Sequence, residues 1–246
     1  MNYKSIFVSD IHLGTRFSQA ELFLDFLKEI ESENLIFVGD IIDGWAIKRK
    51  FNWEQSHSDV MQKILRKARK GTKVTYITGN HDEFLRDFIP LFLGDNFEIR
   101  NEMDYHAING KRYLVTHGDF FDSITMTKRW LAVLGDIGYD FTLYLNHHLN
   151  TLRKLFRIKK HWSLSKYIKD NVKSSVSFIT NFEEILSEHA KRNTYDGVIC
   201  GHIHKAEFKE LNGVEYLNCG DWVESCTAVV EHFDGRFEIL HWHSHE

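Results

Sequence analysis

Ser5-Ile6-Phe7-Val8-Ser9-Asp10-Ile11-His12-Leu13-Gly14 is the stretch on which the fold turns. A short apolar run, too brief for a helix, stops at two polar side chains flanking one isoleucine. The same design recurs down the chain. Leu35–Val38 runs into Gly39-Asp40-Ile41-Ile42-Asp43, and Lys73–Thr78 into Gly79-Asn80-His81-Asp82. Arg112–Thr116 runs into His117-Gly118-Asp119, and Gly197–Cys200 into Gly201-His202-Ile203-His204. Runs of this length without strict alternation read as strands buried on both faces.

Helical patterns separate them. Ser18–Glu31 carries Leu22, Phe23, Phe26, Leu27 and Ile30 at helical spacing, and Ser18 with Glu21 reads as a capping box. A second helix runs through Val60, Ile64 and Leu65 to Gly71, with Ser56 or Ser58 as its cap. Strand–helix–strand–helix–strand predicts parallel strands covered by helices. Tyr105–Thr116 reads as a hairpin turning at Asn109-Gly110, and Val214–His241 as short strands turning at Asp234-Gly235. The predicted class is α/β, with two mixed sheets.

Residues 122–192 break this rhythm with helical pattern and few strand signals. They read as a helical cap inserted in a single domain spanning 1–246. From Thr151 to Lys173 the basic residues are Arg153, Lys154, Arg157, Lys159, Lys160, Lys166, Lys169 and Lys173, against Asp170 alone. Aromatic and aliphatic side chains are interleaved. A charge run is more often a solvated face than a binding surface.

The composition narrows the classes. The chain has 246 residues, 43% hydrophobic and 27% charged, with a formal net charge of −4, which is globular and too acidic for general nucleic-acid affinity. The single proline excludes a Pro-rich linker. No apolar run approaches the roughly 18 residues of a membrane span. Met1–Asp10 lacks a secretory apolar core, and three cysteines at no metal-like spacing fit a reducing, cytoplasmic setting. Of the fifteen histidines, His147-His148 and the terminal His241, His243 and His245 lack carboxylate company and read as surface. Cys200 reads as packing inside a strand.

Ligand sites in α/β folds lie where strands end along one sheet edge. Five polar clusters at five strand ends therefore converge. In Asp10-Ile11-His12, alternation puts both polar side chains on one side, and Gly39, Gly79, Gly118 and Gly201 permit the tight turns that follow each strand. Carboxylates, an amide oxygen and neutral imidazoles suit manganese, iron or zinc. Asp10, His12, Asp40, Asn80, His117, His202 and His204 are too many donors for one tetrahedral ion. They fit two ions roughly 3.5–4 Å apart, a pair that activates water and holds phosphoryl oxygens.

Asp-x-His, Gly-Asp-x-x-Asp, Gly-Asn-His-Asp, His-Gly-Asp and Gly-His-x-His, in this order from Asp10 to His204, resemble the calcineurin-like metallophosphoesterase superfamily. The resemblance implies a four-layer αββα sandwich of two mixed sheets flanked by helices. It implies one divalent ion held by Asp10, His12, Asp40 and His204. The other would be held by Asp40, Asn80, His117 and His202, with Asp40 shared; manganese leads, with iron and zinc as alternatives. His81 matches the family's catalytic histidine, and Asp43 the carboxylate that orients it.

Ser9-Asp10-Ile11-His12-Leu13-Gly14, the helical insertion and Gly220-Asp221-Trp222 resemble the branch of UDP-2,3-diacylglucosamine pyrophosphatases. That branch implies cleavage of a nucleotide-diphosphate lipid to UMP and a lipid phosphate. Its helical cap shelters acyl chains, and the basic, aromatic insertion here is consistent with that. Cations can hold a pyrophosphate, with Lys159, Lys160, Lys166 and Lys169 as the candidates, and amphipathic basic segments sit on anionic surfaces such as the inner face of the membrane. Two features depart from the branch. His81 stands where those enzymes carry arginine, and Lys205-Ala206 follow Gly-His-x-His in place of proline. Arginine grips phosphate bidentately, whereas histidine passes a proton. The alternatives are a phosphomonoesterase or phosphodiesterase of small esters or phosphoproteins and, lastly, a metal-holding scaffold without turnover. Oligomeric state has no signature here.

Overall fold

The computed structural model describes residues 2–125 and 164–242, with side chains for 2–122 and 178–242. The chain divides into two compact units, Met1–Asp119 with Glu183–Glu246, and Phe120–Phe182. The first holds both sheets. The second holds most of helix α4 (Asp119–Thr125) and the first part of α5 (Leu164–Arg192).

Sheet one has seven strands in the order β12-β11-β1-β2-β3-β5-β4. These are β1 (Asn2–Val8), β2 (Glu31–Val38), β3 (Lys73–Ile77), β4 (Leu91–Phe92), β5 (Phe97–Arg100), β11 (Thr227–Glu231) and β12 (Phe237–His241). Its centre is parallel, with Phe7 beside Ile36 and Ile36 beside Thr75, and its margins are antiparallel. Sheet two has five strands in the order β6-β7-β8-β10-β9. They are β6 (Glu102–His106), β7 (Arg112–Thr116), β8 (Gly197–Cys200), β9 (Glu207–Leu211) and β10 (Val214–Asn218). Parallel pairs β7–β8 and β8–β10 sit between antiparallel edges, so both sheets are mixed. Both predicted hairpins form, with Gly110 and Gly235 in the left-handed region.

Each central strand buries both faces, which accounts for its unbroken apolar run. Phe7, Ile36, Val38 and Ile77 meet Tyr113, Val115, Ile199 and Leu217 between the sheets. On the other face of sheet one, Ile6, Val8, Leu35 and Phe37 pack against α1 (Ala20–Glu29) and α3 (Gln55–Arg69). Trp222 is fully buried there, 4.6 Å from Phe23 and 4.8 Å from Phe26 between ring centroids. Beyond sheet two lies the end of α5, where Glu183 pairs with Lys209 of β9 at 2.7 Å. These four layers form the αββα sandwich.

Helix starts differ from the expectation. The capping box of Ser18 and Glu21 does not form: α1 begins at Ala20 behind Gln19, and Thr15 Oγ1 instead accepts the Ser18 amide at 3.3 Å. Nor does Ser56 or Ser58 cap α3. Glu54 is the N-cap, with His57 completing a reciprocal box, and Ser58 Oγ accepts the Trp53 indole N–H at 3.0 Å. Ser58 is thus engaged by Trp53, and the buried His57, at the third position of α3, accepts the Glu54 N–H at 3.4 Å. A further helix, α2 (Gly44–Arg49), starts where the second polar cluster ends, capped by Asp43 Oδ1 accepting the Ala46 N–H at 2.6 Å.

Candidate metal centre

The polar clusters gather because the loops after β1 and β2 continue the pairing of their strands. Asp10 N–H donates to Gly39 O at 3.0 Å, His12 N–H to Asp40 O at 3.0 Å, and Leu13 N–H to Ile41 O at 2.8 Å. This run departs from strand geometry. Asp10, His12, Asp40, His202 and His204 have φ of 53°, 52°, 56°, 73° and 53°. Left-handed backbone is uncommon outside glycine and clusters at functional sites. Alternation was therefore the wrong reason for the right placement: two left-handed turns, not a pleat, aim Asp10 and His12 the same way while Ile11 stays in the core.

The glycines also divide. Gly39 and Gly118 have positive φ, whereas Gly79 does not. A Cβ at Gly79 would collide with Asp40 Oδ1, so this position is glycine for space rather than for φ.

Three groupings have metal-binding geometry, the first two being Asp10, His12 and His204, and Asp40, His117 and His202. In the first, His204 Nε2 lies 3.1 Å and His12 Nε2 3.8 Å from Asp10 Oδ1. In the second, His117 Nε2 lies 3.1 Å from Asp40 Oδ2, and Nδ1 is 2.9 Å from Val38 O. That contact fixes the tautomer, with Nδ1 donating and Nε2 left as a ligand. His117 and His202 rings stand 5.1 Å apart. A third grouping joins His12, Asp43 and His81. Asp43 Oδ2 is 3.1 Å from His12 Nδ1 and 3.0 Å from His81 Nδ1.

Asp10, Asp40, His12 and His117 are buried, Asn80, His81 and His202 partly so, and His204 is exposed. The site therefore opens along its His204 side. Asn80 Oδ1 is buried without a partner, and the buried Asp10 Oδ1 and His117 Nε2 make no well-aligned hydrogen bond, each meeting only the ion-pair neighbours named above. A buried polar atom left unpaired costs stability unless something fills its place. Three buried atoms from three loops, two oxygens and an imidazole nitrogen, are the donor chemistry of a divalent cation. The residues fit a dinuclear divalent site.

The charges agree. Burial alone would raise the Asp10 carboxyl, but the His204 and His12 imidazoles hold it well below the usual carboxylate range. Asp40 is held low against its burial by His117. In return, Asp10 and Asp43 overcome the burial of His12 and raise it to about 10, and Asp40 raises His117.

Several contributors had no assigned role in the sequence. Asp82 is fully buried under the Asn80–His81 turn, accepting from the N–H of Gly79 at 2.5 Å and of Ile41 at 2.9 Å, and from Tyr76 OH at 2.6 Å. Burial and the Asp40 charge push it up to about 6. Its only sequence signal is its place in Gly-Asn-His-Asp. The Gly220-Asp221-Trp222 segment supports Asp10 through its backbone, Trp222 N–H donating to Asp10 O at 3.0 Å. Cys200 is buried in β8, as expected of packing. Lys159 and Lys160 lie outside the described residues, as do His147-His148, His243 and His245. Lys166 and Lys169 fall on α5, where only the backbone is described.

Comparison with known proteins fits this geometry. The calcineurin-like phosphoesterase family model matches residues 3–206, and the chain belongs to this family of metal-dependent phosphohydrolases. A UDP-2,3-diacylglucosamine hydrolase of Porphyromonas gingivalis is 25% identical over 126 residues, covering 48% of this chain and 47% of that protein. A DNA polymerase II small subunit of Methanothermobacter thermautotrophicus is 23% identical over 251 residues, covering 89% of this chain and 47% of that protein. The chain thus spans about half the length of these relatives. Among solved structures, a dimetal phosphatase from Danio rerio aligns at TM-score 0.47 and 12% identity, over 98% of each chain. No helix among the described residues is long and apolar enough to cross a membrane.

Proposed function

We propose that this chain hydrolyses a phosphoester or pyrophosphate bond at a pair of divalent ions, manganese foremost, in a nucleotide-diphosphate lipid of the UDP-2,3-diacylglucosamine type. The observation that carries the reaction class is His81 standing beside the ligand groupings with Nδ1 on Asp43. Asp10, His12, Asp40 and His204 would hold one ion, and Asp40, Asn80, His117 and His202 the other. Such ions supply a nucleophilic water near neutral pH and charge that holds phosphoryl oxygens.

The chain's own groups do the rest. Asp43 fixes the His81 ring and favours a proton on Nδ1, so that Nε2 faces the site. There His81 stabilises the departing oxygen or protonates it. Asp40 Oδ1 accepts the His81 backbone N–H at 2.8 Å and so ties the proton-transfer residue to the ligand set.

The nucleotide-lipid substrate is supported by the Porphyromonas relative and by the basic stretch from Thr151 to Lys173, to which we assign phosphate and membrane-surface contact within a 122–192 cap. A second reading, a phosphodiesterase or phosphomonoesterase of smaller esters, is favoured by His81 itself in place of arginine. Manganese-loaded protein given UDP-2,3-diacylglucosamine and a simple aryl phosphate in competition separates them. Release of UMP and lipid phosphate with the aryl ester untouched supports the first reading, and preference for the aryl ester supports the second. Turnover of neither defeats both.

A further inference from the structure

We propose that Trp45 is a specificity-determining residue, its indole forming the wall against which a planar aromatic substituent of the phosphoester packs beside His81. This deepens the proposed function and rests on it, since it takes His81 to face the departing group.

The His81 ring is held between two neighbours. His12 meets it edge-on at 4.7 Å and 88°, and Trp45 lies over it at 4.3 Å and 37°. His12 belongs to the buried ligand set, so Trp45 is the neighbour on the solvent side. Trp45 is 43% exposed, and Phe84 beside it 37%. Isolated exposed aromatics are ordinary. Trp45 differs in being fastened. It sits in the first turn of α2, which Asp43 Oδ1 caps, while the other oxygen of the same carboxylate stands at His81. Its Nε1–H donates to Glu83 Oε1 at 3.2 Å. Phe84 is packed so closely onto Gly44 that a Cβ there would come within 2.9 Å of its ring.

The result is a rigid aromatic surface already oriented before any substrate arrives, with one face on His81 and area left uncovered. Stacking on such a platform favours planar rings and tolerates differences among them. The matching chemistry is an aryl- or nucleobase-bearing phosphoester, in preference to an alkyl one.

The test is calorimetric binding of phenylphosphonate and methylphosphonate, neither of which turns over, to the manganese-loaded chain. Wild type is expected to bind the phenyl compound about tenfold more tightly. W45A should shrink that gap below about threefold, and W45F should retain it. A gap undiminished in W45A, or equal binding of both compounds by wild type, overturns the Trp45 assignment alone. Failure of wild type to bind either phosphonate overturns it together with the phosphoesterase reading. Far-ultraviolet circular dichroism of W45A shows whether the fold is intact.

Discussion

Oδ2 of Asp43 stands 3.0 Å from Nδ1 of His81, and the same oxygen lies 3.1 Å from Nδ1 of His12. One carboxylate oxygen thus faces both an expected metal ligand and the expected proton donor, while its second oxygen caps α2. Asp43→Asn keeps the cap but removes the charge that both imidazoles face. Turnover should fall about 10–100-fold, the usual cost of losing such an outer partner, with α2 preserved. Steady-state kinetics alongside metal analysis checks this; unchanged kcat would exclude Asp43 from orienting His81.

Asn80 and His81 are adjacent, yet their losses should differ in kind. Asn80→Ala removes an oxygen that is buried and without a partner, and metal affinity should drop by more than about tenfold. His81→Ala should retain both ions and lose about a hundredfold to ten-thousandfold in turnover. Metal stoichiometry after dialysis, measured with kcat, separates the two; full activity in His81→Ala would reject its role.

The raised imidazoles set a direction for metal binding. His12, at about 10, keeps its proton near neutral pH in the metal-free fold, and a ligand nitrogen must give it up. Loading should therefore release protons and tighten as pH rises toward about 10, which the dependence of calorimetric enthalpy on buffer ionisation reports. For the metal-free chain the sign reverses. A raised imidazole contributes stability that is complete below its ordinary 6.5 and lost as pH climbs through about 10. The thermal midpoint of stripped protein should fall over that window, and chelation should cost the fold most at its alkaline end.

His57 gives the opposite dependence. It is buried, its pKa lies below the ordinary 6.5 because of that burial, and its Nδ1 accepts the N–H groups of Gly14 at 3.3 Å and Glu54 at 3.4 Å. A depressed imidazole leaves stability intact above 6.5 and withdraws it as pH falls from there through the folded value. Thermal midpoints between about pH 7 and 5 should decline in wild type and decline less in His57→Gln. Equal slopes would remove His57 from the account.

The strands and the convergence of their ends were legible because two-face burial forces unbroken apolar runs, and the site residues follow those runs directly. Asp10, Asp40 and His117 could be read for that reason. What escaped notice was local or three-dimensional. α2 has six residues, too few for helical periodicity to accumulate, and its cap is a residue already assigned to chemistry. The helix starts at Gln19 and Glu54 were missed because the candidate cap serines are engaged elsewhere, Ser18 N–H with Thr15 Oγ1 and Ser58 Oγ with the Trp53 indole. The contact of Trp45 with His81 joins the first turn of α2 to the loop after β3 and leaves no spacing to detect.

The left-handed turns carry an evolutionary implication. Five of the eight non-glycine residues with positive φ among those described are Asp10, His12, Asp40, His202 and His204. Each such conformation costs about 1–3 kcal/mol that glycine would largely relieve. A library of variants selected only for heat tolerance without metal should drift toward glycine at these very positions. It would grow sturdier while giving up the side chains expected to hold metal, so these five positions are where stability of the empty fold and loading of the site pull in opposite directions.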